Sequence, residues 1–395
     1  MTTLDIRQLQ NSLQNSKILV RVPNWIGDAV MCLPALRELR SALPDADLVL
    51  VGRPWVLDIF PTDELRCRTV AYDTRGRQGG IRGRWRFASE LRMEKFSAAI
   101  LFQNALDAAV LAALSGIPIR AGYARQGRRP LLTHPVDVPH RGETPSHEAY
   151  YYLELLRRLG VITSLPKVEQ ILLPHRESDR VGARAQLEEF LLQQASSTCA
   201  KAGDRLSIDT DTERLLVGFG AGASFGTAKR WPAERFAELA LRLNRELGAA
   251  AIFFGSAEER PLVESLISKA GDSAISLAGK TSLHDFIRMV PGCDLYVTND
   301  TGTMHVAAAL GVPTLALFGP TDELGTRPLA SRAQVMAGTA FCRPCKLRHC
   351  PIDHRCMTSI SVEAVFQAAR LSLSVPGPPA SEHSADEFAT KSPRH

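Results

Sequence analysis

Asp28 is the first residue of this sequence that is placed to do chemistry. It ends the stretch Pro23-Asn24-Trp25-Ile26-Gly27-Asp28, which follows an apolar, β-branched run and precedes apolar residues at helical spacing. We therefore predict a loop at the carboxyl end of a strand, where open α/β sheets place their ligand crevice. A carboxylate there can take a proton from a hydroxyl group in the crevice, or it can simply cap the following helix.

A glycine-rich loop with a cationic end, residues 218–232, is the second candidate. Glycines let backbone N–H groups approach an anion closely, so Gly222 and Ser224 are expected to bind phosphate and Lys229 to neutralise a leaving diphosphate. The glycine spacing matches neither the P-loop nor the dinucleotide fingerprint. A flexible turn is the alternative, but a predicted strand and a predicted helix flank the loop.

The run Asn299-Asp300-Thr301-Gly302-Thr303-Met304-His305 is the third candidate. It also follows a predicted strand and opens a helix, so the N–H groups of Thr301 and Gly302 suit a phosphate. Asp300, Thr301, Gly302 and His305 are therefore candidates for one phosphate site. Asp300 has an alternative as an N-cap, and His305 has one as a core or capping histidine.

Basic residues crowd two segments of the first half of the chain. One contains Arg75, Arg77, Arg82, Arg84, Arg86, Arg92 and Lys95, and the other contains Arg120, Arg125, Arg128, Arg129 and Arg141. Such segments are solvated faces or docking surfaces for an anionic ligand at a membrane surface. The acid-poor interval 120–129 favours docking, so we expect Arg120, Arg125, Arg128 and Arg129 to bind an acceptor. Glycines within 77–86 are typical of a mobile loop.

Four cysteines lie close together in the sequence, at Cys342, Cys345, Cys350 and Cys356. Thiolates at short spacing can hold a structural Zn²⁺, although this spacing is tight for two zinc knuckles. Free thiols, zinc and disulfides all stay open, and a cytosolic location disfavours disulfides. No catalytic metal is expected, because no carboxylate pair has the spacing of metal ligands.

Alternating strands and helices must position these candidates. Strands are predicted over 17–22, 47–51, 98–102, 215–219, 250–254, 295–298 and 314–318, and helices over 29–43, 105–114, 147–159, 233–247, 282–289 and 302–310. This alternation predicts parallel sheets covered on both faces, which is an α/β fold. Two such units facing a cleft suit a sugar nucleotide and its acceptor.

The segment 193–214 interrupts the alternation and divides the chain. We predict a polar extension over 1–16, an N-terminal domain over 17–192, a connection over 193–214, a C-terminal domain over 215–375 and a disordered tail over 376–395. Two domains also fit the length, because single cores stop growing well short of 395 residues.

Composition excludes several classes of protein. A hydrophobic content of 45% and a charged content of 23% exclude global disorder, and a net charge of +5 is too balanced for a dedicated nucleic-acid coat. No apolar run approaches the roughly 18 residues that span a bilayer. Residues 1–15 lack the apolar region of a signal peptide, so a cytoplasmic location is expected.

Together, these motifs resemble the ADP-heptose:lipopolysaccharide heptosyltransferases, glycosyltransferase family 9, and most closely their heptosyltransferase II members. The likeness covers about residues 17–373 and is carried by residues 23–28, 225–232 and 299–310, with Phe318-Gly319-Pro320-Thr321 and Cys356-Met357 adding to it. The Asp-Thr-Gly-x-x-His block with the following Gly-Pro-Thr is its most specific part.

The resemblance implies a GT-B fold, with two Rossmann-like domains and the active site between them. It implies inverting transfer of L-glycero-D-manno-heptose from ADP-heptose to the first heptose of the lipid A–Kdo inner core, with Asp28 as general base. An acidic residue after Gly255 would hold the ribose; Glu258 is our choice, and Glu259 is adjacent. No cofactor and no nucleic acid are expected, and contact with the inner leaflet of the inner membrane would be peripheral.

Two other classes of function compete with this interpretation. Heptosyltransferase I shares the motifs and differs in acceptor, and the fold alone excludes neither it nor a transferase or epimerase that uses another nucleotide sugar. A non-catalytic sugar-nucleotide binder is disfavoured, because a binder has no use for a base at Asp28.

Overall fold

The computed structural model describes residues 13–202, 214–223, 225–271 and 273–374. The strands of its first half are β1 Lys17–Arg21, β2 Asp47–Gly52, β3 Cys67–Ala71, β4 Ala98–Leu101, β5 Ile119–Tyr123 and β6 His134–Val136. The helices there are α1 Ile26–Met31, α2 Leu33–Ala42, α3 Pro54–Leu57, α4 Gly80–Met93, α5 Leu106–Leu114 and α6 Ala149–Arg158.

The second half repeats this alternation. Its strands are β7 Leu216–Gly220, β8 Ala250–Phe253, β9 Ala274–Ser276, β10 Leu295–Asn299, β11 Thr314–Phe318 and β12 Ala333–Ala337. Its helices are α7 Glu177–Ala202, α8 Ala233–Leu247, α9 Arg260–Ala270, α10 Leu283–Met289, α11 Gly302–Ala309, α12 Glu323–Thr326, α13 Arg355–Thr358 and α14 Val362–Ser374. Short 3-10 turns occupy Arg129–Leu131, Thr227–Lys229, Ala257–Glu259 and Val290–Gly292.

Each half forms one six-stranded parallel sheet, which confirms the predicted α/β fold. The strand orders are β3-β2-β1-β4-β5-β6 and β12-β11-β10-β7-β8-β9. The order changes direction beside β1 in the first sheet and beside β7 in the second. Ligands of open α/β sheets bind at such switch points, outside the carboxyl ends of the strands. The three motif loops follow β1, β7 and β10, so all of them lie at switch points.

Alternation of side chains along β1 explains how the first sheet is covered. Ile18 and Val20 join the apolar cluster that contains α1, α2 and α6, whereas Leu19 joins the cluster beneath α4 and α5 on the opposite face. Successive strand residues point to opposite faces, so a wholly buried strand needs helices on both sides. The structure thus has helix–sheet–helix layers in its first lobe.

The two lobes touch at the site through glycine and backbone contacts. Helix α11 of the second lobe packs on α1 of the first, and a Cβ on Gly302 would lie only 2.5 Å from the Cβ of Ile26. The backbone N–H of Glu148 donates to the Gly325 carbonyl at 2.9 Å, which adds a second bridge. The contact between lobes is therefore closest at the start of α1, where Asp28 lies.

The predicted helix over 29–43 is two helices, α1 and α2, separated at Cys32. Pro34 has no N–H to donate to the preceding turn, so the first helix ends and a second begins with the proline in its first turn. The predicted mobile loop over 77–86 is also wrong from Gly80 onward, because α4 begins there. Phe87, Ala88 and Leu91 are the buried side of that helix.

Helix α7 runs to Ala202, well into the predicted connection over 193–214. It packs on α10 and on the Val290–Gly292 turn of the second lobe, with Arg184 bonding Asp294 at 3.1 Å. The domain bounds stay predictions, and residues 1–12 and 375–395 lie outside the described part. Across the described ranges, no helix is long and apolar enough to cross a membrane.

Candidate functional site

Asp28 lies in the first turn of α1, directly after the loop that leaves β1. Arg21, buried at the end of β1, holds this loop by donating to the Val22 and Val51 carbonyls at 3.0 Å and to Asn24 Oδ1 at 3.1 Å. The cap residue of α1 is Trp25, without a side-chain cap bond. Asp28 is therefore not the cap residue of α1, and it lies within electrostatic reach of Lys229 on the opposite lobe.

The electrostatic surroundings of Asp28 suit a base. The pKa of its carboxyl is raised from 3.8 to about 6; burial is the larger cause, the charge of Glu148 adds to it, and the charge of Lys229 on the opposite lobe opposes both. Within the described residues, no hydrogen bond to its carboxylate is found. A half-desolvated carboxylate without hydrogen bonds is a stronger proton acceptor than an exposed one.

Lys229 and Asp300 form the centre of the opposite wall. The Lys229 ammonium lies 2.6 Å from Asp300 Oδ2, and the Thr321 hydroxyl donates to the same oxygen at 2.6 Å. Asp300 is 5% exposed. Its carboxylate is thus an ion-pair partner, and the N-cap alternative is wrong, since the cap residue of α11 is Thr301.

Asn299 fixes the glycine-rich loop against this pair. Its side-chain N–H group donates to the carbonyls of Ala221 and Gly222 at 2.9 and 3.1 Å, and its Oδ1 accepts from the Trp231 backbone at 2.9 Å. Both ends of the loop are therefore tied to the end of β10. The sequence analysis quoted Asn299 and Thr321 within motifs but assigned neither to the site; each follows a buried strand, which was the available signal.

The start of α11 offers backbone donors for an anion. Thr301 makes no side-chain cap bond in the described structure; its hydroxyl lies 2.9 Å from that of Thr303. The first N–H groups of the helix therefore have no side-chain partner, and the helix dipole adds positive potential there. Together with Lys229, Gly302 and Gly222, this edge can bind a diphosphate. Ser224 lies outside the described residues.

His305 lies one turn into α11 and faces the other lobe. A Cβ on Gly27 would lie 3.1 Å from its ring. Burial lowers the pKa of His305 to about 4, so the ring is neutral near neutral pH. His305 can therefore line the cleft and form hydrogen bonds, but it does not add a charge to the diphosphate site.

Of the two adjacent acidic residues, Glu259 lies closer to the glycine-rich loop. A Cβ on Gly222 would lie 1.7 Å from Glu259 Oε1, and Glu259 Oε2 accepts the Ser256 N–H at 2.9 Å. Glu258, our sequence-based choice, is exposed; bonds to its own backbone and to Ser256 lower its pKa, as does the charge of Arg75. The geometry places Glu259 against the loop, and ribose binding stays a prediction for both.

The four arginines expected to bind an acceptor occupy different environments. Arg128 is fully buried, donating to the Tyr123 and Gln103 carbonyls and, at 3.0 Å, to Asn104 Oδ1. Because these partners occupy its guanidinium, the expectation of direct acceptor contact is corrected for Arg128. It is also corrected for Arg120, which bonds the Leu131 and Ile117 carbonyls near the amino end of β5, away from the cleft.

Arg125 is the best placed of the four. Its guanidinium lies 3.4 Å from the Tyr151 hydroxyl. Its positive charge lowers the pKa of Glu148, whereas burial raises that pKa. Arg129 pairs with the exposed Asp137 at 3.0 Å. Glu148, which our sequence analysis missed, raises the pKa of Asp28 and has its own pKa raised by burial. Its position at the start of α6 gave no distinctive pattern.

The cysteine-rich segment packs against the glycine-rich loop. The Arg348 carbonyl accepts the Ala228 N–H at 3.0 Å, and the His349 ring lies 3.1 Å from the Thr227 hydroxyl. The four thiols are free, namely Cys342, Cys345, Cys350 and Cys356. In the part of the chain that is described, no group of three or more His, Cys, Asp or Glu residues is arranged to hold a metal ion.

Two parallel sheets that meet at their carboxyl edges, with Asp28 on one lobe and Lys229 on the other, are the arrangement of a GT-B glycosyltransferase. The family model for glycosyltransferase family 9 (heptosyltransferase) matches residues 84–355. The chain therefore belongs to glycosyltransferase family 9, as the motif resemblance indicated.

Individual relatives agree with this assignment. The chain is 30% identical over 325 residues to lipopolysaccharide heptosyltransferase 2 of Salmonella typhimurium, covering 81% of this chain and 87% of that protein. The structure of ADP-heptose lipopolysaccharide heptosyltransferase II from E. coli is 27% identical, with a TM-score of 0.68 over 90% of this chain and 98% of the other. A family 9 glycosyltransferase from Veillonella parvula is 26% identical, with a TM-score of 0.71 over 91% and 98%.

Proposed function

We propose that this protein transfers heptose from ADP-heptose to a heptose of the lipopolysaccharide inner core. One observation supports the proposal: the helix that carries Asp28 packs on α11 of the second lobe, and the Asp28 carboxyl, without a hydrogen-bond partner in the described structure and with a raised pKa, lies within electrostatic reach of Lys229. The names of the relatives supply the sugar and the acceptor. We propose that the reaction takes place at the cytoplasmic face of the inner membrane, because the proposed acceptor is anchored there by its lipid.

The reaction is a single inverting displacement. Asp28 takes the proton of the acceptor hydroxyl while its oxygen attacks the anomeric carbon from the face opposite the diphosphate. The glycosidic bond forms as the bond to the ADP oxygen breaks, and ADP leaves with the electron pair. The transition state has oxocarbenium character, as in inverting glycoside hydrolysis.

The leaving diphosphate receives its stabilisation from the second lobe. Lys229, the N–H groups at Thr301 and Gly302, and the loop N–H groups near Gly222 all lie at one sheet edge. They offset negative charge that grows as the bond breaks, which lowers the barrier more than it strengthens ground-state binding. We propose that this set supplies the required positive charge and that no metal cofactor takes part.

The direct test is ADP release from ADP-heptose with defined acceptors. Purified enzyme is given lipid A–Kdo with no heptose, with one heptose, or no acceptor at all. Release only with the one-heptose acceptor supports the proposal. Release with the heptose-free acceptor identifies a heptosyltransferase I activity, and equal release in all three tubes contradicts acceptor-dependent transfer. Asp28→Asn, which keeps the size but loses the base, must abolish the acceptor-dependent part.

A further inference from the structure

The outer face of α4 and α5 exposes apolar side chains. Ile81 and Trp85 lie one turn apart on α4 and are 73% and 53% exposed. With Val110 and Leu114 of α5 they line an apolar groove of about 170 Å³. Large apolar side chains grouped on one exposed face usually mark an interaction surface. The opposite side of α4, with Phe87, Ala88 and Leu91, is buried in the first lobe.

Arginines surround this groove. Arg82, Arg84 and Arg86 are exposed on the same helix. Among described residues, Arg82 has no hydrogen-bond or ion-pair partner, Arg84 lies 3.2 Å from Asp107, and Arg86 donates to the Arg77 carbonyl at 2.7 Å. Among the described residues, the two acidic partners of these arginines are Asp107 and Glu90. Asp107 pairs with Arg84, and Glu90 pairs with both Arg77 and Arg86. The face is therefore both apolar and positively charged.

The amino end of α4 points towards the cleft edge of the first sheet. Trp55, exposed after β2, has the Arg53 and Arg75 guanidinium groups 5.9 and 6.0 Å from its ring. Helix α4 follows β3, so the turn before it lies at the carboxyl edge of the first sheet, where the cleft opens. A surface that binds along α4 would therefore lie near the opening of the cleft.

We propose that the outer face of α4 and α5 docks the enzyme on an anionic phospholipid bilayer. Helices that lie in a membrane interface combine Trp and aliphatic residues with arginines beside them, which is the pattern here. The arginines meet phosphate head groups, while Trp85 and Ile81 enter the boundary with the acyl chains. Only the purpose of the docking rests on the proposed function: it would hold the cleft near a lipid-anchored acceptor.

Vesicle binding tests the docking without any substrate. The full chain is mixed with phosphatidylcholine vesicles and with vesicles of phosphatidylcholine and phosphatidylglycerol in equal parts, then sedimented. We expect binding to the anionic vesicles only, and loss of it at high salt. Ile81→Ser with Trp85→Ser is expected to weaken binding at least about tenfold, and Arg82→Glu about twentyfold. The control Leu371→Ser changes an equally exposed residue on α14 of the second lobe and should bind as wild type.

Transfer assays separate docking from acceptor recognition. The Ile81→Ser, Trp85→Ser double variant should keep wild-type rates with a lipid-free core acceptor and lose rate only when the acceptor is embedded in vesicles. Wild-type binding that ignores lipid charge, or a double variant that binds vesicles normally, overturns the proposal. A rate loss with the lipid-free acceptor also overturns it, because the face would then bind the acceptor or a protein partner. Failure of transfer itself leaves the vesicle result intact, so the two proposals fail separately.

Discussion

The pH dependence of the reaction follows from the surroundings of Asp28. The base must be ionised, and burial raises its pKa to about 6. With that pKa, about 90% of the enzyme carries the base near pH 7 and about 10% near pH 5, so kcat/KM should fall roughly ninefold. A carboxyl with the ordinary pKa of 3.8 would lose almost no activity over the same range.

Glu148 provides the perturbation that isolates this effect. Glu148→Gln removes the neighbouring negative charge that raises the pKa of Asp28. The acid limb of the profile should therefore move to lower pH, by roughly half to one unit, because burial is the larger cause and remains. At about pH 5 the variant should then be more active than wild type relative to its own plateau.

The assay is ADP release at limiting acceptor concentration, measured across the acid range. Substrate ionisation is identical for both enzymes, so a difference between their profiles belongs to the protein. Glu169→Gln, which removes an exposed carboxylate paired with Lys167, is the matched control and should leave the profile unchanged. A wild-type acid limb near pH 4, or identical limbs for wild type and Glu148→Gln, would refute the reasoning.

Further predictions follow from other contacts. Lys229→Ala should raise the donor KM and lower kcat, by roughly tenfold to a hundredfold in kcat/KM, because one charge-assisted contact is lost; unchanged kinetics in a folded variant would remove Lys229 from the site. Asp28→Asn should raise the free energy of unfolding near neutral pH by at most about 3 kcal/mol, because a raised pKa means that the folded state disfavours the ionised carboxyl. The gain should vanish below about pH 4, where the carboxyl is protonated in both states, and denaturant titrations at the two pH values measure the difference. Gly302→Ala should push the lobes apart and cut kcat at least about tenfold while Tm changes little; normal kcat would show that the 2.5 Å contact opens freely. Arg128→Met should destabilise the fold by about 2–4 kcal/mol because it strands buried carbonyls, whereas Arg129→Ala should cost less than about 0.5 kcal/mol; equal losses would contradict the burial difference.

The sequence predicted the strands and the motif loops, because these depend on the pattern of neighbouring residues. Buried β-branched runs identified β1, β7 and β10, and each motif loop was placed after the right strand. Because parallel strands of one sheet align their carboxyl ends, the loops after β7 and β10 had to converge, and they do. The family resemblance supplied the GT-B arrangement, which strand and helix spacing alone did not contain.

Contacts between distant segments could not be predicted in this way. Arg120 and Arg128 belong to an acid-poor run that resembles a binding surface, yet each guanidinium bonds backbone carbonyls brought near by the fold. Glu148 influences Asp28 only because α6 packs on α2, the helix that follows α1. The Lys229–Asp300 ion pair joins two motifs separately assigned to the anion, and no spacing rule pairs them.

The Lys229–Asp300 pair has a consequence for selectivity. Without nucleotide, the lysine already has a negative partner, so the resting site is close to electroneutral. A weakly charged competitor must displace an internal carboxylate without bringing enough charge to replace it. A ligand with several phosphate oxygens can contact both Lys229 and the uncapped start of α11. These two contacts together replace the interaction energy that the lysine loses when it leaves Asp300. In the proposed function, the Asp300 carboxylate therefore competes with inorganic anions for the Lys229 ammonium. This competition favours nucleoside diphosphates over inorganic anions.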